Sequence, residues 1–223
     1  MTSGTATETR KVEVAPGRFT GWIESFAERH QGIAASSAGD VVTFTAPDGA
    51  IAECAVPFPP VLAADGADPM DLAKVLAVHA TADRTVGVFL VRLGGYAAGV
   101  FTGTEPVLAA SKVGSRLVHG RSAAGGQSQQ RFARRRENQA HQALAAAADT
   151  AAAVFGPYQL DALVLGGDKR AFSAVRNDPR LTSFFEVAVE SFLTVPDPRL
   201  TVLKDTPRLF RAIRIKLTQP TEA

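Results

Sequence analysis

Val86-Gly87-Val88-Phe89-Leu90-Val91, the turn pair Gly94-Gly95, and the return run Tyr96-Ala97-Ala98-Gly99-Val100-Phe101 decide the fold. Short apolar runs rich in Val and Phe, broken by paired glycines, read as strands joined by tight turns. A second turn at Thr102-Gly103-Thr104 leads to a third strand from Pro106 to about Val113, giving an antiparallel meander. Downstream, one long helix is predicted from about Ser128 to Phe155. It is followed by the buried-type strand Ala162-Leu163-Val164-Leu165, ended by Gly166-Gly167, and by a helix over about Lys169 to Arg176. Strand, helix and strand following a meander predict a mixed sheet, an α/β (α+β) domain with packed helices.

Upstream of the meander, Phe19, Trp22, Ile23 and Phe26 have helical spacing, so an amphipathic helix is expected from Phe19 to His30. Val41 to Thr45 and Ile51 to Val56 read as a hairpin around Pro47-Asp48-Gly49. A further helix is expected from about Met70 to His79, with a domain boundary near Ala82. Toward the C-terminus the pattern predicts a helix near Leu181 to Val189, a strand over Phe192 to Val195, and a last helix starting at Thr206-Pro207. The expected division is a disordered tail over 1–14, an N-terminal helix and hairpin segment over 15–82, a main domain over 83–217 and a tail over 218–223.

Composition is that of an ordinary globular chain, 46% hydrophobic and 21% charged, with no run near the length of a bilayer span and no apolar signal at the start. A cytoplasmic protein without a membrane partner is expected. Cys54, the one cysteine, lies in an alternating strand and reads as a small core residue. His30, His79 and His141 form no pair at metal-ligand spacing, so neither metal nor other cofactor is expected.

The net charge of +2 is unevenly spread. Pro106 to Arg136 contains no Asp or Glu, whereas Lys112, Arg116, Arg121, Arg131, Arg134, Arg135 and Arg136 make it strongly basic. Such a segment fits a polyanionic partner. It contains a glycine-rich loop, Gly114 to Gln127, placed directly before the long helix. A phosphate-cradling nucleotide site is disfavoured, because no Lys-Ser or Lys-Thr follows the glycines and the G-x-G-x-x-G spacing is missing. At 100° per residue, Ala133, Ala140, Ala143, Leu144, Ala147, Ala151, Val154 and Phe155 share one side of the helix. Arg136 and Glu137 fall in that same sector, so the first turns are expected to project beyond the core, with Arg131 and Arg135 on the opposite side.

His119-Gly120-Arg121, Gly125-Gly126-Gln127-Ser128 and Arg131-Phe132-Ala133-Arg134-Arg135-Arg136 together resemble the GGQ region of archaeal and eukaryotic class I peptide-chain release factors. The order of strands around them extends the resemblance over about Thr85 to Ile213. Within that superfamily the chain looks most like the Vms-type release factors (VLRF) of ribosome quality control, in their actinobacterial branch. The resemblance implies a release-factor central domain with a ribonuclease-H-like sheet, and a peptidyl-tRNA hydrolase acting on the large ribosomal subunit. It assigns catalysis to Gly125, Gly126 and Gln127, and contact with ribosomal RNA and peptidyl-tRNA to Lys112, Arg116, His119, Arg121, Arg131, Arg134, Arg135 and Arg136. The chain has an extra Ser122-Ala123-Ala124 before Gly-Gly-Gln compared with the class I factors. It offers no room for their codon-reading domains, so action independent of a stop codon is expected, by a protein that is monomeric off the ribosome. The rival readings are a non-catalytic RNA or ribosome clamp built on the same basic loop, and a metal-dependent nuclease, which would need carboxylates that this segment lacks.

Overall fold

The chain forms two sheets in a computed structural model, which describes residues 7–62, 66–92, 94–115 and 127–220, and only the backbone of 127–138. In chain order the first elements are β1 (Thr7–Val14), α1 (Pro16–Arg29), β2 (Ala34–Ser37), β3 (Val41–Thr45), β4 (Ile51–Ala55) and α2 (Pro69–Thr81). Then come β5 (Val86–Arg92), β6 (Gly95–Thr102), β7 (Val107–Ser115), α3 (Gln127–Phe155), β8 (Ala162–Gly167) and α4 (Lys169–Val175). A single 3-10 turn at Pro179–Leu181 precedes α5 (Thr182–Glu186), β9 (Ala188–Leu193), α6 (Leu200–Arg211) and β10 (Ile213–Pro220). The chain divides into two units, Met1–Ala82 with Phe210–Ala223, and Asp83–Leu209.

The first unit is an antiparallel five-stranded sheet in the order β1-β10-β4-β3-β2. Alternation decides its faces: Val42, Phe44, Cys54, Ile213, Ile215 and Leu217 point inward and are buried with Phe19, Ile23 and Phe26 of α1 and Leu72 and Leu76 of α2. Each such side chain contributes about 1.5–3 kcal/mol on full burial. Trp22 is half-buried and stacks on Phe26 at 5.7 Å. Proline opens both helices at the position where its missing N–H costs nothing. Asp68 also caps α2 by accepting from the Met70 and Asp71 N–H groups.

Three expectations are corrected here. Of the segment expected as a disordered tail, 1–14, residues 7–14 instead form β1, paired with β10 from Thr7↔Pro220 to Val14↔Ile213, and 1–6 lie outside the described residues. Its TETRKVEV sequence resembles solvated chain because an edge strand keeps most of its side chains in water. Residues 213–220, divided between the main domain and a tail in the sequence reading, form β10 between β1 and β4. The strand pairs across nearly the whole chain, so a boundary drawn along the sequence separates it from its sheet. The N-terminal segment is accordingly more than a helix and hairpin, since it requires strands from both ends of the sequence.

In the second unit the order is β7-β6-β5-β8-β9, an antiparallel meander over β5, β6 and β7, with β8 parallel to β5 and β9 parallel to β8. This is the expected mixed α/β sheet. Central β5 is buried on both faces except at Arg92. On one face Phe89 meets Phe155 of α3 and Phe172 of α4 edge-on, at 6.1 and 5.4 Å. On the other, Leu203 of α6 sits over Gly99, where an added Cβ would lie 2.9 Å from a Leu203 methyl. Gly87 is similarly pressed by Leu160, 2.5 Å from where a Cβ would be.

The helix expected near Leu181 to Val189 is only the five residues of α5, because Ala188 onward joins β8 as a strand. Pro207 lies inside α6 instead of opening it. Lacking an N–H, Pro207 cannot serve the Leu203 carbonyl one turn back. The buried Thr206 hydroxyl donates to that carbonyl at 2.7 Å instead, which lets the helix continue.

Candidate nucleic-acid interface

The site begins on β7, the open edge of the second sheet. β7 carries a bulge: Val100 pairs with Ala110 and Phe101 with Leu108, leaving Ala109 as the extra residue. Beyond it Lys112 pairs with Ala98, a residue buried under α3. Lys112 is therefore exposed on the same sheet face that α3 covers. The last two pairs of the ladder are Tyr96↔Gly114 and Gly95↔Ser115. The Tyr96 ring lies so closely over Gly114 that a Cβ there would fall 2.3 Å from the ring carbon bearing the hydroxyl. Glycine is required at this position by the aromatic neighbour, which braces the strand where it ends.

α3 opens at Gln127 and runs 29 residues, about 44 Å at 1.5 Å per residue. Its burial rises along its length. Gln139 to Ala146 includes no fully buried side chain, whereas Ala147, Ala148, Ala151, Val154 and Phe155 are in the core. Counting back from these at 100° per residue puts positions 131 and 135 opposite the core side, 134 on its flank and 136 within it. The exposed residues Gln142, Ala145, Asp149 and Ala153 continue the line of 131 and 135. At its buried end the helix is tied by Asp149 to Arg180, 2.8 Å away, and Arg180 in turn holds Asp178 at 2.7 Å. Arg180 keeps the Asp178 carboxyl below the usual carboxylate range, and the two acids push the Arg180 pKa up.

Of the residues singled out in the sequence, Lys112 is on β7, and Gln127, Arg131, Arg134, Arg135 and Arg136 are on the first turns of α3. Arg116, His119, Arg121, Gly125 and Gly126 lie outside the described residues. The structure brings the two sides of the glycine-rich segment to one sheet edge and one helix start. The Tyr96 brace was not found by sequence reasoning, and a glycine facing an aromatic across a predicted hairpin is the signal that could have revealed it.

The other titratable candidates have structural partners. His30 Nδ1 lies 2.6 Å from Asp48, and His79 Nε2 lies 2.9 Å from the Phe58 carbonyl. Burial pushes the Cys54 thiol up to about 12, which makes it unreactive as a nucleophile. Among the described residues no group of three His, Cys, Asp or Glu could hold a metal ion. Phe184 and Phe185 are half-buried against the core, with Phe184 5.5 Å from Phe155.

Comparison with known proteins bears on this site. A family model described as Actinobacteria/chloroflexi VLRF1 release factor matches residues 84–216. No curated protein matches the chain. Among solved structures, an archaeal translation termination factor, aRF1, is 12% identical over 90% of this chain, with a TM-score of 0.39. The chain spans 63% of that factor's length. The Vms1 mitochondrial localization core is 8% identical, covering 82% of this chain and 77% of its own, with a TM-score of 0.38. Because the family match runs through most of the sequence, from the start of the second sheet into β10, the chain belongs to the Actinobacteria/chloroflexi VLRF1 release factor family.

Proposed function

We propose that this release factor is a peptidyl-tRNA hydrolase that acts in the cytoplasm, as a monomer, on large ribosomal subunits stalled with a nascent chain, without reference to a codon. The loop ending in Gly125-Gly126-Gln127 enters the peptidyl transferase centre, and water cleaves the ester between peptide and tRNA. The observation that carries this reading is the place of Gln127 at the first residue of α3. The first N–H groups of a helix have no intrahelical acceptor, and the helix dipole favours negative charge there. A backbone N–H at such a helix start suits the oxyanion that forms as water attacks the ester carbonyl. Such a donor is worth about 2.7–4 kcal/mol in a site closed to water. The Gln127 side chain seats the attacking water, the tRNA's terminal ribose takes the leaving proton, and ribosomal RNA completes the site. Gly125 and Gly126 admit backbone conformations and close approach that other residues do not. Lys112, Arg116, His119, Arg121, Arg131, Arg134, Arg135 and Arg136 hold the RNA, chiefly through phosphates.

The test is release of labelled peptide from large subunits carrying peptidyl-tRNA. Wild-type protein releases it, while Gln127→Ala and Gly126→Ala bind the subunit but release little. Unchanged release by both variants would overturn this assignment of catalysis, and no release by the wild type would leave the clamp reading.

A further inference from the structure

The first sheet turns one face to its helices and the other to solvent, and the outer face carries an unusual row of charges. Register places Lys11, Lys216, Glu53 and Thr43 side by side on β1, β10, β4 and β3, with Glu13, Arg214, Ala55 and Val41 in the next row. Lys216 binds Glu53 at 2.7 Å and Arg214 binds Glu13 at 3.2 Å. Lys11 has no ion-pair partner among the described residues, and its cross-strand neighbour is another lysine. Like charges directly opposite one another destabilise a sheet. Glutamate at position 11 would relieve the repulsion, so the lysine costs stability that the fold does not require. The rows border a shallow concavity of about 370 Å³ floored by Val41 and Ala55. This unit is acidic on balance, yet Lys11, Arg214 and Lys216 gather on one face of two neighbouring strands.

We propose that this outer face binds the phosphate backbone of large-subunit ribosomal RNA, as a second RNA contact separate from the basic helix. Lys11 and Lys216 grip one phosphate between them, which turns their repulsion into shared attraction for an anion. Arg214 stands two residues from Lys216 on the same face, about 7 Å along the strand, and exchanges its solvent-exposed Glu13 for the next phosphate. The apolar floor lies against the sugar between them. The partner's identity rests on the reading of this chain as a large-subunit factor, whereas the anion site itself rests on the charge row.

The test compares wild type, Lys11→Glu and Lys11→Gln for binding to purified large subunits and to a short single-stranded RNA oligonucleotide across a salt series. Lys11→Glu is expected to melt at the same or a higher temperature. It should bind both RNAs about five- to tenfold more weakly, with a log-log salt slope shallower by about one. Lys11→Gln should fall between the two. Peptide release at saturating protein should match wild type, since the face takes no part in chemistry. Unchanged RNA binding by Lys11→Glu overturns the proposal, as does tighter binding of a fluorescent polyglutamate peptide than of the oligonucleotide. Absence of peptide release by wild type would refute the hydrolase reading and leave the binding comparison intact.

Discussion

The two sheets treat their outer surfaces in opposite ways. In the second, helices cover both faces: α3 and α4 bury Phe89 and Ala98 on one side, and Leu203 of α6 presses on Gly99 on the other. The proposed site lies at its edge, on β7 and the start of α3. In the first, both helices lie on one side, and the opposite face is a lattice of charges in water. A sheet buried twice can only present its loops and helix ends, whereas a sheet buried once can present its strands.

The comparison is broken most severely at Gln127. Gln127→Ala keeps the backbone N–H but removes the side chain that seats the attacking water, and should lower peptide release about 10²-fold without a change in thermal melting. Ile215→Ala should do the reverse. Removing a fully buried side chain from the middle of the first sheet should cost about 2–5 kcal/mol. Hydrogen exchange should then show protection lost in β1 and β4 and kept in β5 and β8. Loss of protection in both sheets together would mean that they do not behave as separate units.

A finer comparison tests the cap of α2. Asp68→Ala should cost about 1 kcal/mol, measured by denaturant unfolding of the first sheet. The smallest effect concerns acid. Asp48, Asp178 and Asp205 are held below the ordinary carboxylate value, by His30, Arg180 and Arg208 respectively. A depressed carboxyl pKa stabilises the fold above the unfolded value near 3.8 and ceases to do so as pH falls through the folded one. Asp178→Asn should therefore lower stability slightly at neutral pH and flatten the acid limb of the profile, the two proteins converging below about pH 4.

Legibility in the sequence followed the distance over which residues must cooperate. The meander, the β3–β4 hairpin and the long helix were readable because their periodicity and turn glycines are local; α3 begins one residue from the expected Ser128. β10 alternates as clearly, with Ile213, Ile215 and Leu217 inward and Arg214 and Lys216 outward. Its partners, however, are at opposite ends of the sequence, and no local pattern names them. Pro207 misled for a chemical reason, since the Thr206 hydroxyl replaces the hydrogen bond that proline removes. At the site, the Gly125-Gly126-Gln127 motif and its arginines were legible as residue types. The Tyr96 ring over Gly114 was not, because cross-strand packing depends on a register that the sequence does not print.

The placement of β10 also sets an order of events during synthesis. Residues 83–209 form a contiguous unit and can fold as soon as they emerge from the exit tunnel. The first sheet cannot close until residues 213–220 appear and slot between β1 and β4. Residues 7–14 are thus secured only after 213–220 have been made, and β4 waits as long for the strand that joins it to β1.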